Sequence, residues 1–151
     1  MIEGSLGAYR VTSLVRAYNQ IWAGDLVDGR IGRLDQEVYK EYESVIQRTI
    51  VTQPFQQNMD AFLVPEMEMT LESGVGNTDT VDPQIGMARS KNGKTWADTR
   101  YRKLGKIGEF DHRAIWRRNG RAARFELFRF TMSDPVKPVL IQLTAEVEAV
   151  A

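Results

Sequence analysis

The sequence predicts an all-β fold, an antiparallel β-sandwich of two packed sheets. Apolar and polar residues alternate along several short runs, and a period of two is typical of strands with one buried face. Turn pairs stand between such runs at Asp28-Gly29, Asn92-Gly93 and Asn119-Gly120, and they favour the two-residue turns of β-hairpins. Each sheet must bury its apolar face against another layer, so two sheets packed face to face are the expected arrangement.

The composition is that of a globular protein, and we expect a single β-sandwich domain over residues 1–151. Hydrophobic residues make up 42% of the chain and charged residues 26%, which excludes an intrinsically disordered chain. No apolar run approaches the roughly 20 residues that span a bilayer, so we expect no membrane contact. The N-terminal residues lack the features of a signal peptide. The absence of cysteine excludes disulfides and thiolate metal sites.

The first half of the chain contains predicted strands and one ambiguous segment. Residues 8–17 alternate in polarity, Asp28-Gly29 joins two further strands, and the β-branched run 49–52 ends before Pro54. Residues 36–46 carry apolar residues at helical spacing. We expect an irregular strand or turn there, because the surroundings are β-like and no C-terminal helix stop is present; one short helix is the alternative.

The second half continues the β pattern. Residues 62–72 alternate a methionine and leucine row with a row of glutamates, which predicts a strand with a solvated outer face. Residues 73–83 are rich in Gly, Asn, Thr and Asp and predict a mobile loop. Hairpins are expected around Asn92-Gly93 and Asn119-Gly120, followed by a last strand over residues 139–147.

The positive charge is concentrated in one part of the chain. Residues 89–129 contain 13 of the 20 Lys and Arg and four acidic residues, a net charge of +9, while the remainder carries −9. Such asymmetry indicates an acidic partner, a nucleic acid or a neighbouring copy of the chain, although single residues of this kind often pair with acidic neighbours on a solvated strand face. The candidate basic interface comprises Arg100, Arg102, Lys103, Lys106, Arg113, Arg117, Arg118, Arg121 and Arg124.

The aromatic residues leave two binding functions open. The aromatic residues interleaved with the basic segment would suit nucleic-acid binding, through phosphate contacts and stacking. A carbohydrate-binding sandwich is a further alternative, with Trp22 and Trp116 as candidate sugar-stacking residues, although a core position is the favoured interpretation for both. A glycosidase would need two convergent carboxylates, which spacing alone does not establish.

We predict no enzyme activity, no cofactor and no metal site. His112 is the one histidine of the chain, and without cysteine or a second histidine it cannot build a typical zinc site. The spacing of Asp25, Asp28 and Asp35 does not match a calcium-binding loop. Glycine patterns that cradle phosphates and the Gly-x-Ser-x-Gly setting of a nucleophilic serine are both absent.

The stretch Ser-Lys-Asn-Gly-Lys-Thr-Trp at residues 90–96 resembles an Asp-box, the hairpin motif of sialidases and other β proteins. Asn92 stands where that motif usually has aspartate. The resemblance implies a structural hairpin without catalytic chemistry, formed by Ser90, Asn92, Gly93, Thr95 and Trp96.

Further motifs follow this box in order. They are Leu-Gly-Lys-Ile-Gly-Glu at 104–109, Trp-Arg-Arg-Asn-Gly-Arg at 116–121, Phe-Arg at 128–129 and Ser-Asp-Pro-Val-Lys at 133–137. Together they resemble the C-terminal region of the packaged-DNA stabilisation proteins of short-tailed bacteriophages, also called tail accessory factors, which form part of the tail hub. A weaker similarity begins near residue 18.

This resemblance implies a non-enzymatic structural protein of a phage or prophage virion. Its expected role is in the portal–tail connector that closes the head and stabilises packaged DNA. The family also implies a homo-oligomeric ring, a hexamer, with portal and tail proteins as partners and packaged DNA as a further contact. Synthesis is expected in the cytoplasm of the bacterial host. Family members are several times longer, so the sequence represents either a short relative or a C-terminal portion.

Overall fold

The computed structural model describes residues 10–58 and 60–150. The chain divides into two compact units, the first ending at Val45 and the second beginning at Ile46. All regular secondary structure of the described residues is β-strand, which confirms the all-β prediction. Residues 36–46 contain two short strands and no helix, in agreement with the favoured interpretation. The single domain over residues 1–151 stays a prediction.

The first unit is an antiparallel meander followed by a small hairpin. Its strands are β1 (Val11–Ala17), β2 (Gln20–Asp25), β3 (Ile31–Leu34), β4 (Lys40–Glu41) and β5 (Ser44–Val45). Tyr18 and Asn19 join β1 to β2 with φ angles of 52° and 59°, the two left-handed positions that a type I′ turn requires. Neither residue is a glycine, so the usual sequence signal for this turn is missing.

The predicted hairpin at Asp28-Gly29 is confirmed between β2 and β3, although its connection is longer than two residues. Residues 26–30 form the loop, and the backbone N–H of Asp25 donates to the carbonyl of Arg30 across it at 2.9 Å. Gly29 supplies the left-handed conformation, with a φ of 68°.

The second unit holds the remaining strands. They are β6 (Arg48–Val51), β7 (Phe55–Gln56), β8 (Phe62–Leu63), β9 (Glu66–Leu71), β10 (Gln84–Ser90), β11 (Arg100–Lys103), β12 (Ala114–Arg117), β13 (Arg121–Ala122), β14 (Phe125–Met132), β15 (Leu140–Ala145) and β16 (Glu148–Ala149). One sheet has the order β11-β10-β14-β6, with β7 also paired to β14. The other side consists of the sheets β12-β9-β15 and β13-β8-β16.

These two three-stranded sheets are formed by the same three chain segments, each interrupted by a break in pairing. The break between β12 and β13 falls on Asn119-Gly120, where the sequence predicts a hairpin, and that prediction is wrong. The N–H groups of Arg118 and Asn119 donate to Pro65 and Val64 carbonyls at 2.7 and 3.2 Å. The segment therefore stays alongside β8 and β9 instead of folding back on itself.

The hairpin expected around Asn92-Gly93 is confirmed between β10 and β11, but the predicted two-residue turn is wrong. β10 ends at Ser90 and its partner β11 starts at Arg100, so nine residues form the connection and no strand opens at Trp96. Gly93 has a φ of 71°, but Asn92 does not adopt a left-handed conformation, which excludes a type I′ turn. The side chain of Asn92 closes the turn instead, as described below.

The core of the second unit lies between the two layers, as expected for a sandwich. Alternate residues of β14, Phe128, Phe130 and Met132, face inward against Met67 and Trp116 from the opposite layer. The rings of Trp116 and Phe130 meet edge to face with centroids 5.4 Å apart. The predicted alternation of residues 62–72 is confirmed, since Met67 and Met69 are buried while the glutamates between them lie on the outer face.

Candidate interaction surface

The nine residues of the candidate basic interface fall into three groups, and the first closes the edge of the sandwich. Arg102 donates from Nε to the Ile115 carbonyl at 2.6 Å, and Arg100 donates from Nη1 to the Arg117 carbonyl at 2.9 Å. In the opposite direction, Trp116 donates from Nε1 to the Arg100 carbonyl at 2.8 Å. Arg100 and Arg102 thus link β11 to β12, because each donates from its guanidinium to a backbone carbonyl of that strand.

The second group consists of ion pairs on the outer surface. Lys103 lies 2.5 Å from Asp82. Arg113 forms a two-pronged pair with Glu68 at 2.7 and 2.6 Å, and this contact lowers the pKa of the glutamate below its ordinary value. Arg117 contacts Glu66 at 2.7 Å.

Antiparallel pairing of β12 with β9 places the glutamate row directly beside these arginines. Three basic residues of the segment 89–129 are therefore paired with acidic residues that lie outside it: Lys103, Arg113 and Arg117. The pairs are solvent-exposed, so each contributes little to stability.

The third group is exposed, and its side chains form no ion pair among the described residues: Lys106, Arg118, Arg121 and Arg124. The backbone N–H of Lys106 donates to the Glu109 carboxylate at 2.9 Å. Lys106 lies at the end of the sandwich where Leu104 bonds to Pro83. The other three lie at the opposite end, where β10 and β12 finish and β14 begins.

Lys91 follows the end of β10, and with Arg124 and Phe125 it lines a depression of about 260 Å³. We call Lys91, Arg118, Arg121 and Arg124 the free basic row. Glu148, which pairs with Leu63 on the far side of β8 from Arg121, is an acidic residue at the same end.

The Asp-box-like loop is held by side-chain hydrogen bonds around Asn92. Its Oδ1 accepts from the backbone N–H groups of Lys94 and Thr95, both at 2.8 Å, and Ser90 Oγ accepts from the N–H of Gly93 at 2.9 Å. In these bonds, side-chain oxygens accept from backbone N–H groups of the same loop, and the bonds of Asn92 have the pattern of an Asx-turn. The assignment as an Asp-box stays a prediction.

Trp96 anchors the same loop to the outer face of the five-stranded sheet. Its ring lies 4.5 Å from the guanidinium carbon of Arg129, and it is only partly buried. Arg129 projects from β14 opposite the small Ala88, which leaves space for this stacking. The loop therefore folds back over the sheet instead of extending into solvent.

We expect Trp96→Ala to reduce the free energy of unfolding by about 1–2 kcal/mol, which reflects a cation–π contact and partial burial rather than loss of a core ring. Trp96→Phe, which keeps an aromatic face over Arg129, should recover part of that loss. Chemical denaturation followed by circular dichroism measures both. A loss of about 3 kcal/mol or more would mean that Trp96 is a core residue.

A buried polar cluster lies directly beneath the free basic row. Arg89 donates to the backbone carbonyl of Asn119 and lies 3.5 Å from Glu126, whose side chain is buried within the sandwich. Asn119, also buried, accepts from Arg100 on its side-chain oxygen and donates to the Trp116 carbonyl at 2.9 Å. These bonds fix the path of the chain between β12 and β13.

Burial raises the pKa of Glu126 above its ordinary value, and Arg89 and Lys91 only partly oppose this effect. Between the ordinary and the raised pKa the folded state binds the proton more tightly than the unfolded state, so stability falls as pH rises through this window. We expect Glu126→Gln to gain stability relative to the wild type as pH rises from about 4 to neutral.

Glu68→Gln provides a matched control for this measurement. The pKa of Glu68 is lowered in the folded state, so its ion pair adds stability that is lost as pH falls through the lowered pKa. Relative to the wild type, Glu68→Gln should therefore become less stable as pH rises, opposite in sign to Glu126→Gln. Thermal unfolding across a pH series tests both, and the same sign for the two variants would contradict the assignment.

The described residues contain no group of three or more potential metal-ligating side chains. A depression of about 400 Å³ is lined by Thr52, Gln53, Pro54, Phe55, Gln56 and Leu143, none of which is ionisable. Trp116 is fully buried and cannot stack on a sugar, while Trp22 is partly buried and donates to the Ala17 carbonyl at 3.3 Å. His112 is exposed. Among the described residues there is no helix long and apolar enough to cross a membrane.

Fold and surface together define a β-sandwich domain whose charged groups serve mainly to connect its own strands. The family model for the bacteriophage P22 Gp10 β-sandwich matches residues 47–148, about two thirds of the chain. The chain therefore belongs to the P22 Gp10 β-sandwich family and is a bacteriophage structural protein. A comparison with curated proteins gave no match.

Proposed function

We propose that this protein is a non-enzymatic component of the portal–tail connector, where it closes the phage head and stabilises the packaged DNA. The observation that carries this proposal is the family match, which covers almost the whole second unit. The motif series from residue 90 to residue 137 that resembles tail accessory factors supports the same role.

Incorporation into virions tests this proposal. Phage particles purified by density gradient and analysed by quantitative mass spectrometry should contain the protein at a copy number comparable to that of the portal and tail proteins. Disrupting tails from heads should leave it in the fraction that contains the connector. Its absence from purified particles, with the protein present only in the host lysate, would overturn the proposal.

Ring assembly, with a hexamer as the expected form, is part of the proposed function. Support comes from the first unit, in which Ala23 is the only buried apolar residue among those described, while Leu14, Val15 and Ile31 are 59%, 61% and 72% exposed. A sheet of this size has too little core to be stable alone, and packing with neighbours is the usual remedy.

Native mass spectrometry at several salt concentrations tests the assembly. We expect closed oligomers built from heterologous contacts between unlike surfaces. Leu14→Ser and Ile31→Ser should shift the distribution toward the monomer, while Ile141→Ser, at an exposed position of the second unit, serves as a control. A monomer under all conditions would contradict self-assembly and leave virion incorporation as a separate question.

A further inference from the structure

The chain contains two Asn-Gly pairs, Asn92-Gly93 and Asn119-Gly120, and the structure places them in opposite environments. In such a pair the backbone nitrogen of the glycine can attack the side-chain amide carbon of the asparagine and expel ammonia. The product is a five-membered succinimide, which water opens to aspartate or isoaspartate. Glycine has no Cβ, so it leaves this nitrogen the least hindered. Each Asn-Gly pair is therefore a candidate site of deamidation, and its surroundings decide its reactivity.

Asn119 is held so that this reaction is suppressed. Its side chain is buried, its Oδ1 accepts from Arg100, and its Nδ2 donates to the Trp116 carbonyl at 2.9 Å. The backbone on both sides of the reacting bond is also fixed, because Asn119 and Gly120 exchange hydrogen bonds with Val64 at 3.2 Å each. Burial excludes the water that the second step consumes. We therefore expect Asn119 to stay intact in the folded chain.

Asn92 is exposed, and a serine hydroxyl connects the two groups that would react. Ser90 Oγ accepts from the backbone N–H of Gly93 at 2.9 Å and donates to Asn92 Oδ1 at 3.2 Å. As the bond from the Gly93 nitrogen to Asn92 Cγ forms, the N–H proton can pass to Ser90 Oγ while the serine proton passes to Oδ1. The hydroxyl thus moves the proton from the attacking nitrogen to the oxygen of the carbonyl under attack.

Two backbone donors point at the same oxygen. The N–H groups of Lys94 and Thr95 both donate to Asn92 Oδ1 at 2.8 Å. This distance lies within the range of about 2.7–3.1 Å at which backbone N–H groups stabilise the oxygen of a tetrahedral intermediate. The Asx-turn therefore polarises the side-chain carbonyl and stabilises the negative charge that develops on Oδ1 during the attack.

The leaving nitrogen also has a hydroxyl beside it. Thr95 Oγ1 accepts from Asn92 Nδ2 at 3.0 Å and donates to Asn92 Oδ1 at 3.1 Å. When the tetrahedral intermediate collapses, this hydroxyl can take the proton from Oδ1 and give its own proton to Nδ2, which then leaves as ammonia. One hydroxyl thus serves the formation of the intermediate, and the other serves its breakdown.

We propose that Asn92 is a self-modification site, at which the loop of residues 90–95 promotes deamidation of its own asparagine. The bond between the Gly93 nitrogen and Asn92 Cγ forms, the bond between Cγ and Nδ2 breaks, and water then hydrolyses the succinimide. In total, one amide and one water become one carboxylate and one ammonium ion. The reaction occurs once per chain, needs no other protein or cofactor, and is independent of the proposed connector role.

The modified loop differs from the original in charge and in strength. Aspartate at position 92 keeps an oxygen for the N–H groups of Lys94 and Thr95, and hydrogen bonds to a carboxylate are roughly twice as strong as neutral ones. It also adds a negative charge between Lys91 and Lys94. We therefore expect the aspartate form to hold the loop more tightly, so that hydrogen exchange of the Lys94 and Thr95 amides is slower in Asn92→Asp than in the wild type.

The test measures deamidation of the full chain at neutral pH, in the folded state and in guanidinium, by peptide mass spectrometry in water labelled with ¹⁸O. The label enters the product when the succinimide is hydrolysed, and fragmentation separates aspartate from isoaspartate. In the denatured chain Asn92 and Asn119 should react at similar rates. Folding should accelerate Asn92 by about tenfold or more and suppress Asn119. Slower reaction of Asn92 in the folded chain than in the denatured chain would show that the loop protects it and would overturn the proposal.

Variants of the two hydroxyl residues test the assigned roles. Thr95→Val keeps the backbone donor and the shape of the side chain but removes the hydroxyl, so it should slow the reaction of folded Asn92 by about tenfold. Thr95→Ser retains the hydroxyl and should react at nearly the wild-type rate. Ser90→Ala should also slow the reaction; circular dichroism establishes that this variant is folded, and the Thr95 pair decides if it is not. A rate for Thr95→Val that equals or exceeds that of the wild type would overturn the proposal.

Discussion

Trp116→Ala is expected to lower the free energy of unfolding of the second unit by about 3–5 kcal/mol, the largest single-residue effect that the fold predicts. The side chain is fully buried between the two layers and packs edge to face on Phe130. Its indole N–H also satisfies the Arg100 carbonyl, which joins β12 to the edge of the other sheet. Alanine removes the ring, the interlayer contact and this hydrogen bond together. Guanidinium denaturation monitored by far-UV circular dichroism measures the change.

Trp116→Phe separates packing from hydrogen bonding. Phenylalanine keeps most of the buried aromatic surface but leaves the Arg100 carbonyl without its donor, so an intermediate loss of about 1–3 kcal/mol is expected. A loss below about 1 kcal/mol for Trp116→Ala would be inconsistent with a buried ring and would invalidate the interlayer packing described here.

Asn119→Ala is expected to lower the free energy of unfolding by about 2–3 kcal/mol. The substitution removes both side-chain hydrogen bonds of this buried residue, one to the Trp116 carbonyl and one from Arg100. The Trp116 carbonyl loses its amide donor, and the guanidinium of Arg100 loses one of its two acceptors. Both groups lie near the core, where unpaired polar atoms retain their desolvation cost. Equilibrium denaturation measures the loss. In addition, hydrogen exchange of the amides in β12 and β13 should become faster, since Asn119 fixes the chain between them.

Asn119→Asp is the informative control for this network. It keeps an oxygen for Arg100 but places a carboxylate oxygen, which can only accept, against the Trp116 carbonyl. Its loss at neutral pH should therefore be comparable to that of alanine, and it should become smaller at acid pH, where the protonated carboxyl can donate. A stability within about 0.5 kcal/mol of the wild type for Asn119→Ala would mean that the network is dispensable, and the defined path of residues 118–120 would need another cause.

The strands could be predicted from the sequence more readily than their connections. Alternation over residues 62–72 identified β9 and its inward methionines, because the period of two follows directly from the pleat. The turns at Asn92-Gly93 and Asn119-Gly120 were not predictable from the dipeptide, because distant groups decide them. Pro65 and Val64 hold one segment beside β8 and β9, and the loop to Arg100 folds back over Arg129.

The surface, like the turns, could not be predicted from local sequence alone. A net charge of +9 over residues 89–129 indicates one basic face as long as the neighbouring strands are unknown. Pairing of β12 with β9 then places Glu66 and Glu68 against two of the arginines, and β11 directs two more at backbone carbonyls. Linear sequence does not specify this cross-strand register, so only the structure separates the free basic row from the rest.

Retention of DNA by particles that lack this protein tests the proposed role in closing the head most directly. Phage carrying a nonsense mutation in its gene should package DNA to the normal extent and then lose it, and nuclease treatment of the particles followed by quantitative PCR measures what remains protected. We expect empty or leaking heads that are rescued by supplying the wild-type protein. Mutant particles that retain protected DNA at the wild-type level would contradict a role in closing the head.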